Sequence, residues 1–174
     1  MIFRNRSIPV QKKISLIGIL TALTIISLMA ASWLPTSKLF FLAASSLFSS
    51  IIIIKIDLAS ALLLYTTTTI LAFLLIPSKA IFIAYFLFFG LYGIIKFLCE
   101  QLSSIVLSWI AKIIAFNVSL LIAYLLAGLV FSAEISSKLP LPVLWLIGQI
   151  IFIVYDIVYT SFVGFYYERL DKLI

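Results

Sequence analysis

The chain has 174 residues, 65% of them hydrophobic and only 10% charged, with a mean hydropathy of +1.32. A soluble fold needs far more polar surface to cover its core, so this composition excludes a water-soluble domain and points to a single domain set in lipid. There is no histidine and one cysteine, Cys99, which excludes an internal disulfide, histidine-based metal sites and histidine general bases.

Six apolar stretches follow one another between charged or proline-containing breaks. The first, residues 14–32, comes after Arg4, Arg6, Lys12 and Lys13. The second, 39–54, is short and bounded by Lys38 at one end and Lys55 with Asp57 at the other. The third, 58–76, stops at Pro77-Ser78-Lys79, and the fourth runs over 80–98. The fifth covers 113–133 and the sixth 141–166. A hydrocarbon core about 30 Å thick takes roughly 20 helical residues. Five stretches meet that length, and the second meets it if Lys38 and Lys55 reach outward to the head groups. Unpaired backbone amides are too costly in lipid, and a barrel would show short alternating strands, so the fold class is all-α: a polytopic, six-transmembrane-helix bundle. Between Glu100 and Lys112 the pattern is amphipathic, with Gln101, Ser104 and Ser108 interrupting Leu102, Ile105, Val106 and Trp109. That segment either lies along the membrane surface or extends the fifth helix.

The charge of +6 comes from 12 basic against 6 acidic residues. The positives sit between apolar runs and form no basic patch interleaved with aromatic residues, so they read as topology signals and head-group contacts, not as a nucleic-acid surface. With the N-terminus inside, nine of them (Arg4, Arg6, Lys12, Lys13, Lys55, Lys96, Lys112, Arg169 and Lys172) are cytoplasmic and three (Lys38, Lys79 and Lys138) are outside. Both termini are therefore expected in the cytoplasm of a cell with this chain in its plasma membrane. Basic residues, an apolar run and Ala30-Ala31-Ser32 also resemble a signal peptide. The run is too long for that and five further spans follow, so the segment reads as a retained helix.

The first span contains Gly18-Ile19-Leu20-Thr21-Ala22. Small residues four apart share a helix face and let a second helix approach closely, either within the chain or from a partner. The longer run Lys12-Lys13-Ile14-Ser15-Leu16-Ile17-Gly18-Ile19-Leu20-Thr21-Ala22-Leu23, behind a basic N-terminus, resembles the opening of S components, the substrate-binding membrane subunits of energy-coupling factor (ECF) micronutrient transporters. The resemblance covers the general layout and about a dozen residues. It implies a six-helix protein that binds a vitamin-like molecule near the outer surface, and a partner-docking role for Gly18 and Ala22 against a shared transmembrane coupling subunit. The chain departs from the better-known vitamin binders in having few polar residues near its outer ends.

Polar residues within the spans form two further groups. Gln149, Asp156 and Thr160 recur at i, i+7 and i+11 on one face of the sixth helix, and Asn117 falls in the inner half of the fifth. A carboxylate at a helix centre costs about 2.5–3.5 kcal/mol to insert, so Asp156 should face other helices, with Lys96 or Lys112 as its charge partner. Lys96, Lys112, Asn117 and Asp156 thus make an intramembrane polar cluster, either a neutralised structural pair or a coupling or ligand site. Toward the outer end, Trp33, Lys38, Tyr85, Glu134, Trp145 and Gln149 are candidates to ring a shallow pocket. Of these, Trp33, Tyr85 and Trp145 offer rings to stack a heterocycle and Gln149 an amide for its edge; the alternative for the tryptophans is membrane-interface anchoring.

The sequon Asn117-Val118-Ser119 lies inside a span, and Cys99 beside Glu100 reads as an inert thiol. No carboxylate pair, nucleophile with a base, or phosphate loop occurs at useful spacing, so the chain is not expected to be an enzyme or to hold a metal or cofactor. The function expected is substrate capture for a micronutrient transporter, energised by a separate ATPase pair. The alternative is a membrane scaffold resembling the small six-helix member of rod-shape complexes, which would need no small-molecule ligand. An autonomous carrier would want broken helices and more midplane polar groups.

Overall fold

The computed structural model describes residues 9–34, 36–131 and 140–170. All the regular structure among them is helical, in six helices long and apolar enough to cross a bilayer. The protein is a multi-pass, all-α membrane protein.

Helix α1 (Val10–Trp33) starts behind Pro9, whose missing N–H and fixed φ suit a helix start. After a short link, α2 (Lys38–Lys55) returns with a lysine at each end. The turn into α3 (Leu58–Leu75) is closed by Asp57, whose side chain accepts the Ser60 backbone N–H at 2.7 Å and so satisfies one of the orphan donors of the helix. Lys13 of α1 reaches the same carboxylate at 3.3 Å, tying the first turn of α1 to this turn. Pro77 stops the third helix, and Ser78 caps α4 (Lys79–Cys99), accepting the Ile81 N–H at 3.5 Å. A turn over Glu100–Ser104 leads to α5 (Ile105–Phe131), and Pro140 and Pro142 open α6 (Leu141–Phe165), which continues in π-type winding over Tyr166–Leu170.

The fifth helix thus begins at Ile105, not at residue 113: the amphipathic stretch after Ser104 is helical and extends it. Its exposed face carries Ile105, Val106 and Leu107 and its buried positions include Ser108 and Lys112.

Contacts divide the chain into a unit up to Ala115 and a second from Phe116 onward. In the first, α1 and α2 make the most extensive contact, and α2 also touches α3 and α4. Leu28, Ala31, Ile52, Ala61, Leu64 and Ala72 form the apolar centre. Much of the rest is hydroxyl: Thr21, Thr24, Ser27, Ser45, Ser46, Ser49, Ser50 and Thr68 are all buried. Four of these donors, those of Thr24, Ser45, Ser46 and Ser49, are satisfied within their own helix, while the Thr21 and Thr68 hydroxyls find no acceptor among the described residues. Thr24 gives its proton to Leu20 O at 2.6 Å, Ser45 to Leu42 O at 2.6 Å and Ser49 to Ser46 O at 2.7 Å, the usual solution for hydroxyls where no water is available. Ser27 instead crosses to Phe41 O of α2 at 2.8 Å. Small side chains on both helices permit close backbone approach, which replaces the missing hydrophobic drive between helices in lipid.

Residues 85–89 of α4 are wound as a π-type turn. The Tyr65 hydroxyl of α3 donates to Phe86 O there at 2.9 Å, a side-chain bond to a backbone carbonyl within the π-type turn. The next residue, Gly90, lies against the rings of Tyr65 and Tyr85; a Cβ would sit 2.9 Å from both. Among the threonines of 66–69, Thr66 and Thr67 bond to the preceding turn at Leu62 O and Leu63 O, whereas the hydroxyls of Thr68 and Thr69 lie next to the Tyr85 and Tyr65 phenols.

In the second unit, the ring of Phe116 stacks on Phe152 with centroids 4.5 Å apart and planes 9° from parallel. Most other side chains along this part of α5 and along α6 are exposed apolar groups, the surface a lipid-facing hairpin needs.

Candidate functional site

Three places bring together residues singled out from the sequence. The first is the outer face of α1. Gly18 and Ala22 are exposed, and a Cβ built on Gly18 meets no atom within 4 Å. The buried face of the helix carries Ile17, Leu20, Thr21, Thr24, Ile25 and Leu28 instead. Among the described residues, nothing packs over Gly18, and Ala22 stays exposed beside it.

The second place is the α4–α5 connection. Lys96 Nζ lies 2.7 Å from Glu100 Oε1, and Lys112 Nζ 3.2 Å from the same oxygen. Both lysine side chains are buried, at 4% and 5% exposure, while Glu100 is 41% exposed. Lys112 also lies over the Trp109 ring, 5.1 Å from its centroid, a favourable site for a cation stripped of water. Glu100 was not among the residues picked out for this cluster, although the i, i+4 spacing from Lys96 is a readable signal. A carboxylate shared by two ammonium groups holds the end of one span to the start of the next, and its half-exposed position keeps the cost of desolvation down.

The third place is in the second unit. Asn117 Oδ1 accepts two hydrogen bonds, from Trp145 Nε1 at 2.8 Å and from Gln149 Nε2 at 3.0 Å. The sequence set Asn117 in the inner half of its helix and Trp145 and Gln149 near the outer end of theirs. The hydrogen bonds put all three at one level of the α5–α6 pair. Both lone pairs of the asparagine oxygen are used, which fixes the indole and the glutamine amide relative to each other.

The remaining candidates stand as follows. Asp156 is 2% exposed, so its carboxylate is not turned to lipid, and its main-chain oxygen accepts the Thr160 hydroxyl at 2.7 Å. Tyr85 is buried in the first unit among Tyr65, Thr68 and Gly90. Trp33 is 69% exposed at the end of α1, and Lys38 is exposed at the start of α2. Glu134 lies outside the described residues. The sequence reading passed over the serine stripe of α2, although Ser45, Ser46, Ser49 and Ser50 repeat at helical spacing. Among the described residues no three of Cys, Asp and Glu gather as a metal site would require.

No family model, curated protein or solved structure matches this chain.

Proposed function

We propose that the chain is the substrate-capturing membrane subunit of a micronutrient uptake transporter, resembling ECF S components and energised by a separate transmembrane coupling subunit and ATPase pair. The observation that carries this reading is the open strip of α1: Gly18 and Ala22 are accessible, with none of the described residues laid over Gly18. A strip without side-chain bulk is a surface on which another helix can dock at short range, and van der Waals contact over it is the main attraction available between helices in lipid. The chain sits in the plasma membrane with both termini in the cytoplasm, as the nine-to-three distribution of its basic residues supports. The coupling subunit and its ATPases act from the cytoplasmic side on a binder that takes its ligand from outside.

Affinity-tagged chain expressed in its native membrane should co-purify with a transmembrane subunit and two ATPases, and Gly18→Leu or Ala22→Leu should reduce that recovery at least tenfold. Recovery of cell-envelope assembly proteins without any ATPase would overturn the reading in favour of a scaffold. Orientation is tested separately, by replacing Cys99 with Ala and placing a single cysteine at Ser37. It should react with an impermeant maleimide in intact cells, and labelling only after lysis would invert the topology.

A further inference from the structure

The amide cluster of the second unit is more than a clasp between two helices. Asn117 orients the Gln149 amide by accepting one of its N–H groups, and this leaves the Gln149 carbonyl oxygen and its second N–H. Among the described residues nothing donates to that oxygen, and the side chain is only partly buried. Four residues earlier, on the same face of α6, the Trp145 ring is 51% exposed with its N–H already committed to Asn117. Its π-face is therefore the part offered outward. Gly148 stands between Trp145 and Gln149 and contributes no side chain; it lies against α5, where a Cβ would be 4.0 Å from Phe116 and from Leu120, so α6 lies close to α5 beside the amide.

A half-open amide beside a bare aromatic face is unfavourable against acyl chains, where each unmade hydrogen bond carries a desolvation cost. It suits a flat ligand that stacks on the indole and answers the amide with a donor next to an acceptor. We infer that Trp145 and Gln149, held by Asn117, form a recognition shelf for a planar heterocycle carrying a lactam edge, an N–H beside a C=O. This names the ligand class for the capture function proposed above and rests on that reading. The shelf itself is tested without partner subunits, so its failure and the failure of the transporter reading are separable.

The test uses the full chain with Trp33→Phe and Trp109→Phe, which leaves Trp145 as the sole tryptophan. The probe is 2-quinolone, a planar lactam that accepts energy from indole, and the control is 1-methyl-2-quinolone, which keeps the ring and carbonyl but lacks the N–H. The expected result is saturable quenching of Trp145 emission by 2-quinolone, with the N-methyl compound at least tenfold weaker. Gln149→Leu should abolish the discrimination between the two. Equal binding of the two lactams, or no saturable quenching, overturns the inference. That comparison needs no substitution at Gln149, so it stands even where Gln149→Leu fails to fold. If Gln149→Leu folds and still discriminates as well as the wild type, the cluster is an interhelical clasp only.

Discussion

The two units of this protein solve the same problem, holding helices together where there is no water to expel, in different ways. In the first unit the interfaces are rich in small hydroxyl side chains, several of which bond back to their own helices, with three tyrosines, Tyr65, Tyr85 and Tyr92, among the large buried groups. In the second unit a phenylalanine stack and a bifurcated amide acceptor join α5 to α6. The burial follows in three of the four helices that lie wholly in the first unit: 39% of the most apolar stretch is buried in α1, α2 and α4 and 22% in α3, against 17% in α5 and α6. Interlocked small residues tolerate little added volume, whereas a hairpin with most of its side chains in lipid tolerates a great deal. The difference should be visible in how each unit answers substitution.

The largest contrast is expected at two glycines. Gly90→Ala puts a methyl 2.9 Å from the rings of Tyr65 and Tyr85, both held among other helices. Overpacking of this kind costs about 1–3 kcal/mol, enough to lower the midpoint of thermal unfolding in detergent by several degrees. Gly164→Ala on α6 meets nothing within 4 Å, and the better helix propensity of alanine should leave stability level or raised by up to about 1 kcal/mol. Similar losses at the two sites would break the contrast between the units.

A middle-sized effect is expected from Glu100→Gln, measured in the same unfolding assay. The change removes the charge that Lys96 and Lys112 share. Breaking a fully buried pair costs about 3–5 kcal/mol and a surface pair about 1 or less. With two buried lysines and a half-exposed glutamate, about 2 kcal/mol is the expected loss. A neutral result would mean that this connection contributes nothing to the first unit.

The smallest effect is expected at Asp57, which caps α3 outside the apolar spans. The Ser60 backbone N–H above all, then the Ser60 side chain, hold its carboxyl below the ordinary value of 3.8; burial pushes the other way, and Lys13 adds weaker lowering contributions. A carboxyl with a lowered folded-state pKa contributes stability in full above 3.8, and that contribution is lost as the pH falls through the folded value. The group is largely solvated, so a few tenths of a kcal/mol are at stake. Wild type should lose that much relative to Asp57→Asn between pH 6 and pH 3, and identical pH profiles would remove the cap from the account.

How far all this could be read from the sequence depended on the kind of signal. The spans were legible because the bilayer imposes a length on every apolar run, and Asp57, Ser78 and the prolines mark helix ends by chemistry that acts locally. The level at which α5 meets α6 was not legible. Both helices are apolar nearly all round, so no periodic pattern sets their register. Asn117 therefore could not be matched to Trp145 and Gln149 by counting along the chain. The bond from Tyr65 to Phe86 O was hidden for another reason: it depends on a π-type turn, which Tyr85-Phe86-Leu87-Phe88-Phe89 does not announce by composition. The small strip of α1 was visible in the sequence, but its spacing fitted internal packing and external docking equally well.

That last ambiguity bears most on the function proposed, and one measurement addresses it: the unfolding temperature of the purified, partner-free chain carrying Gly18→Leu or Ala22→Leu. With both positions open, the added side chains meet detergent or lipid, and the midpoint should stay within about 2 °C of wild type, equivalent to less than about 1 kcal/mol for a chain of this size. A fall of about 5 °C or more would show that α1 uses this face to pack against its own chain, and would contradict a strip kept free for a partner.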